Sequence, residues 1–187
     1  MLQNGLGDLL RTESDNCSRI VDLFSGSASV SWFAAQELAK PVLAVDLQLY
    51  ASVLAKAVIE RVAPLDHESL RKGWLESIRS ERANFTIWRK ASKLDCDGIN
   101  TATWSRRAQY LCARSPDAAG PIWGAYGGYY FSPTQAITFD TIIECLPRNA
   151  SERTVCLAST IIAASKCAAS PAIVHPSTVA PTMCLMT

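Results

Sequence analysis

Histidine is nearly missing: His67 and His175 are the only two among 187 residues. Two isolated imidazoles give no basis for assigning a Ser-His-Asp triad or a Cys-His pair. Seven cysteines are present, at positions 17, 96, 112, 145, 156, 167 and 184, yet none forms a Cys-x-x-Cys pair. Zinc sites and disulfide frameworks need tighter spacing, so reduced, partly buried thiols are expected. No apolar run reaches the roughly 20 residues that cross a bilayer. Met1 to Arg11 includes Asp8 and shows no apolar run behind basic residues, so no secretory signal is visible. A cytoplasmic chain with no membrane partner is the expectation. A surplus of one charge sign is also lacking. Lys plus Arg is 18 and Asp plus Glu is 17, a net +1, which excludes a uniformly basic packaging protein. There is no internal repeat.

What is there is ordinary globular material, 49% apolar and 19% charged, in a length suited to one domain. Residues 19–23 form a short apolar run ending in Asp22, which reads as a buried strand. Phe24 to Ser29 is small and polar, hence a turn. Val30 to Lys40 has helical composition, with Val30, Phe33, Ala34 and Leu38 on one face, and Pro41 stops it. A second buried strand follows over 41–46 and ends in Asp46. Leu49 to Arg61 is again helical. Strand, helix, strand and helix in about 45 residues predict a βαβα unit with parallel strands.

The next stretch changes character. Between His67 and Arg114 there are ten basic and five acidic residues, interleaved with Trp74, Phe85, Trp88, Trp104 and Tyr110. Asp66 is a candidate cap for a helix reaching Arg82. Asp95 to Thr103 reads as a connection and Pro116 to Gly128 as loop. Ser132-Pro133-Thr134-Gln135 is a helix start, with a Ser cap, Pro at the first position and Gln three residues on. That helix should end at Pro147. Ser151 is expected to cap a last helix to about Ala169, buried through Leu157 to Ala164. No charge follows Lys166.

Chemistry concentrates in Asp22-Leu23-Phe24-Ser25-Gly26-Ser27-Ala28-Ser29, between the first strand and first helix. Small residues there admit a ligand close to the backbone, at a helix N-terminus. Asp46 closes the second strand, 24 residues after Asp22, where an acid can accept bonds from both hydroxyls of a ribose. A dinucleotide would call for Gly-x-Gly-x-x-Gly. This loop has one glycine and begins with a carboxylate, which repels a pyrophosphate but attracts the cationic amino-acid end of S-adenosylmethionine. The competing reading is a plain strand-to-helix turn with chance acids.

Asp-Leu-Phe-Ser-Gly-Ser followed by Ala-Val-Asp-Leu resembles the cofactor half of S-adenosylmethionine-dependent DNA methyltransferases. Residues 127–136, Gly-Gly-Tyr-Tyr-Phe-Ser-Pro-Thr-Gln-Ala, and 163–171, Ala-Ala-Ser-Lys-Cys-Ala-Ala-Ser-Pro, resemble the adenine-specific class. The resemblance implies an α/β fold, a partial Rossmann-like methyltransferase domain with a helical, basic insert. It divides the chain into a cofactor-binding unit (1–66), the insert (67–126), a helical remainder (127–170) and an irregular tail (171–187). It implies that Asp22, Ser25, Gly26 and Ser27 line the methionine end, with Phe24 and Ala28 also among the cofactor-binding residues. Asp46 would hold the ribose, with Leu47 beside the adenine. The implied reaction is methyl transfer to the N6 amino group of adenine in DNA, by a monomer.

Two departures stand out. The family usually has a second glycine where this chain has Ala28. Its acceptor motif, Asp-Pro-Pro-Tyr, does not occur here, so a truncated or frame-shifted product is expected. Cytosine-5 methyltransferases share the opening motif but need a Pro-Cys nucleophile, and no cysteine here follows a proline. An RNA methyltransferase and a non-catalytic nucleic-acid- or cofactor-binding remnant stay open. For DNA, the candidate contacts are Arg89, Lys90, Arg106 and Arg107, with Arg71, Arg79 and Arg82 behind them. A solvated helical face is the competing reading. Tyr129 and Tyr130 pose the same choice, with core packing preferred.

Overall fold

The computed structural model describes residues 5–61, 63–96 and 98–168; the tail at 171–187 lies outside them. The described residues fall into two compact units. The first takes in residues up to Asp66 together with Arg148–Ala158, and the second His67–Pro147 with the residues from Ser159 on. Helices dominate, and the β structure among the described residues is one sheet of two parallel strands. The α/β expectation therefore holds in part.

In the first unit, α1 (Gly7–Ser14) precedes β1 (Ile20–Asp22), α2 (Ser29–Gln36), β2 (Val42–Ala44) and α3 (Leu49–Ile59). The strands pair in register, Ile20 with Val42, Val21 with Leu43 and Asp22 with Ala44. Pairing runs past the strand ends, since Val45 N–H donates to the Asp22 carbonyl at 2.8 Å and Ser25 N–H to the Val45 carbonyl at 3.2 Å. α2 ends short of the expected Lys40. The chain reverses through Ala39 in the left-handed region (φ 50°), and Lys40 Nζ donates to the Cys17 carbonyl at 3.0 Å.

The strands are not buried as expected. α2 and α3 pack against this sheet, yet Val21, Leu23, Leu43 and Val45 are all exposed. A short apolar run fits a strand covered on both faces, but the run itself does not specify a second cover.

The second unit comprises α4 (His67–Arg82), α5 (Trp88–Cys96), α6 (Thr101–Arg114), α7 (Pro121–Tyr126) and α8 (Pro133–Glu144), and the later part of α9 (Ala150–Cys167). α8 is central. It packs on α4, α5, α6 and α7. Its Ala136 and Ile137 join Ile87, Ala91, Cys112 and the wholly buried Trp123, while its Phe139 and Ile142 join Ile78. The capping box at Ser132 and Gln135 is present in full.

Three details of the sequence reading are corrected. Pro116 to Gly128 is not all loop. α7 lies within it, because the buried Asp140 of α8 accepts from Ile122 N–H at 2.9 Å and Trp123 N–H at 2.8 Å and so caps it. α9 is capped by Asn149, whose Oδ1 accepts from Ser151 and Glu152 N–H, and not by Ser151. Along Leu157 to Ala164 only Ala158 and Thr160 are buried, and Ile162 is exposed.

Candidate functional site

The turn from β1 to α2 is held by two left-handed residues, Gly26 (φ 49°) and Ala28 (φ 62°). Gly26 meets this demand at no steric cost. Ala28 meets it with a buried methyl group, at the position preceding α2, where no side chain caps the helix. Ala28 N–H donates to the Ser25 carbonyl at 2.6 Å, which closes the turn.

Asp46 reaches across from the end of β2. Its Oδ2 accepts from Gly26 N–H at 2.9 Å and its Oδ1 from Gln48 N–H at 2.9 Å. The Gln48 and Gly26 bonds hold its carboxyl below the ordinary aspartate range. It is therefore an anion, and an acceptor only, at neutral pH. An ionised carboxylate has about four acceptor sites. The Gly26 and Gln48 bonds occupy one on each oxygen, and Leu47 N–H also favours the charge.

Asp22 closes β1 and accepts from the buried Ser31 Oγ at 2.7 Å. Ser25 Oγ is buried and has no hydrogen-bond partner. A buried hydroxyl without a partner costs about 1–3 kcal/mol. Ser27 and Ser29 pair through their hydroxyls at 2.8 Å on the exposed side. Phe24 is highly exposed, and Leu47 is 96% exposed.

The loop and Asp46 are thus joined directly, while Asp22 is joined to α2. Sequence reasoning missed Ser31 and the Gln48 N–H. Ser31 was legible as a polar residue on the inner side of the first helical turn, nine residues after Asp22. An open cleft of about 420 Å³ lies elsewhere in this unit, lined by Arg11, Ser14, Asp15, Glu37, Lys40 and neighbours. It sits by the C-terminal end of α2. Ligands of parallel sheets lie beyond the carboxyl ends of the strands, which is where the Gly26 loop is, so the cleft is not the site.

In the second unit Arg89 and Lys90 are exposed on the first turn of α5, Arg106 and Arg107 on α6, and Arg71 and Arg79 on α4. Arg82 is engaged, its guanidinium 4.8 Å over the Trp88 ring. Tyr129 and Tyr130 are exposed, against the preferred core reading. Asp95 ties three helices together. It accepts from Trp104 Nε1 at 3.1 Å on α6, from Ser132 Oγ at 3.1 Å and from the Thr134 hydroxyl at the start of α8. Among the described residues no helix is long and apolar enough to cross a membrane.

A family model described as D12 class N6 adenine-specific DNA methyltransferase matches residues 4–114. No curated protein and no solved structure matches the chain.

Proposed function

The chain belongs to the D12 class N6 adenine-specific DNA methyltransferase family, and on that premise we propose that its first unit binds S-adenosylmethionine at the Gly26 loop. Adenine N6 methylation of DNA is what the family implies. The single observation that supports the cofactor reading most is the Asp46–Gly26 bond. It joins an acid that can take a ribose to a loop that can take the rest of the donor.

When bound, S-adenosylmethionine supplies an electrophilic methyl group on a sulfonium. The chain's residues do the rest. Asp46 accepts from the ribose hydroxyls with its remaining acceptor capacity. Ser25 Oγ donates to the ligand and so gains the partner it lacks. Asp22, Ser27 and the backbone at Gly26 and Ala28 line the methionine end, and the Asp22 carboxylate favours the ammonium there. Phe24 and Leu47 offer apolar surface to a flat base. We read β1–α2–β2–α3 as the opening of a Rossmann-like sheet. Arg89, Lys90, Arg106 and Arg107 are assigned to DNA phosphates.

Titration calorimetry tests the cofactor assignment. Binding of S-adenosylmethionine is expected, with loss in Asp46→Ala, because removing one partner leaves Gly26 N–H unpaired and the ribose unheld. Binding of NAD but not of the methyl donor would overturn it.

A further inference from the structure

We infer that α6 and the Gly127–Phe131 turn together form a stacking platform for unpaired DNA bases, an inference that rests on the DNA-directed reading above. The turn is held by backbone bonds. Tyr129, Tyr130 and Phe131 N–H all point at the Tyr126 carbonyl, at 3.2, 3.0 and 3.3 Å, and Gly128 N–H donates to the Phe131 carbonyl at 2.8 Å. Two glycines press it onto α6. A Cβ on Gly127 would meet Cys112 Sγ at 2.9 Å, and one on Gly128 would meet Gln109 N at 2.7 Å and the Ala108 carbonyl carbon at 2.8 Å. Gly128 also has φ 76°. No other residue fits there without moving the helix backbone.

The result is an inside–outside split within three aromatics. Phe131 goes inward, 5.0 Å from the Phe139 ring. Tyr129 and Tyr130 stay out, 64% and 43% exposed, with Tyr126 edge-on to Tyr130 at 5.8 Å. Two adjacent exposed rings on this turn have apolar surface still to bury against a ligand.

The helix beneath carries the charge. α6 reads Thr-Ala-Thr-Trp-Ser-Arg-Arg-Ala-Gln-Tyr-Leu-Cys-Ala-Arg, with three arginines and no acid. Arg106, Tyr110 and Arg114 are four residues apart in turn and share a face. Gln109, which the turn touches, is three residues from Arg106 and borders that face. Arg114 donates to Tyr110 Oη at 3.0 Å and lies 5.5 Å over its ring, which holds a 62% exposed ring in place. Exposed rings beside arginines, without carboxylates, fit a strand whose bases are open and whose backbone is anionic. A paired duplex hides its base faces and cannot use the rings.

The test is fluorescence anisotropy of a labelled single strand and of its duplex, with the full chain and no cofactor. The single strand is expected to bind more tightly at equal salt. Tyr129→Ala with Tyr130→Ala should weaken single-strand binding at least about 5-fold, the lower end for loss of one stacking ring. Tyr129→Phe with Tyr130→Phe should leave it unchanged. Arg106→Ala should lower the salt slope by about 0.7. Because these side chains are exposed, circular dichroism should be unaltered. An unchanged affinity in the double alanine variant overturns the platform while leaving the DNA reading intact, and so does a preference for duplex. No binding to either DNA overturns both. Sizing that shows self-association lost in the double alanine variant, with DNA binding retained, overturns it in favour of a protein interface.

Discussion

Ala28 stands where an L-residue crowds its own carbonyl. The left-handed region costs such a residue about 1–2 kcal/mol, which gives a physical reason for the glycine that the family usually places here. Glycine would relieve that strain but give up about 0.4–1 kcal/mol of unfolded-chain entropy and about 0.8 kcal/mol of methyl burial. The effects nearly cancel. Ala28→Gly is therefore expected to lie within about 0.5 kcal/mol of wild type by urea denaturation. Ala28→Val, β-branched and buried in the same conformation, should cost about 2 kcal/mol or more. Equal stability for the valine variant would show that φ at this position relaxes. The approach of Asp46 to the loop was legible at this scale, because both follow the ends of adjacent parallel strands. Leu47 was not, because nothing in Asp46-Leu47-Gln48 indicates that Gln48 N–H binds the Asp46 carboxylate and leaves Leu47 outside.

Helix α7 depends on a carboxylate eighteen residues away. Burial pushes the Asp140 carboxyl up, against the Ile122, Trp123 and Gly120 N–H bonds that favour its charge. Its folded form thus holds a proton more readily than its unfolded form. By linkage, its contribution to stability is greatest in acid and falls as pH rises from the ordinary aspartate range to the raised value. The stability advantage of wild type over Asp140→Asn should shrink across that window and then stay constant toward neutral pH. Melting curves of both proteins over pH would show it, and a gap that widened with pH would reverse the assignment. Elements stabilised by their own residues were legible. The Ser132 box and the two strand–helix pairs are local; the box formed in full, and the strands and helices formed with α2 shorter and the strands more exposed than expected. α7 was not, because its Gly-Pro-Ile-Trp-Gly-Ala-Tyr segment has weak propensity and its cap arrives from α8. The Asn149 cap was visible in principle, since Glu152 follows it by three as a capping box requires.

The whole molecule joins a family match over residues 4–114 to a sequence without an Asp-Pro-Pro-aromatic motif. Methylating an exocyclic amine needs a donor, an extruded base and a polar group that orients the nitrogen. A misplacement of about 1 Å costs around a hundredfold, and a missing orienting group more. The 187-residue chain assayed alone is expected to transfer no methyl to unmethylated DNA, even with cofactor bound. Nucleoside analysis after incubation with tritiated donor checks this, and N6-methyladenine above the enzyme-free control would reveal an orienting group elsewhere in the chain.

The open face of the β1–β2 sheet has a thermal consequence. Unfolding raises the heat capacity in proportion to the apolar surface newly wetted, about 12–15 cal/mol/K per residue for well-covered domains. Val21, Leu23, Leu43 and Val45 are wet already, so melting the first unit adds little at those positions. Its calorimetric increment should fall below that range. A small increment flattens the curve of free energy against temperature, so cooling weakens this unit less than it would one whose sheet is covered on both sides.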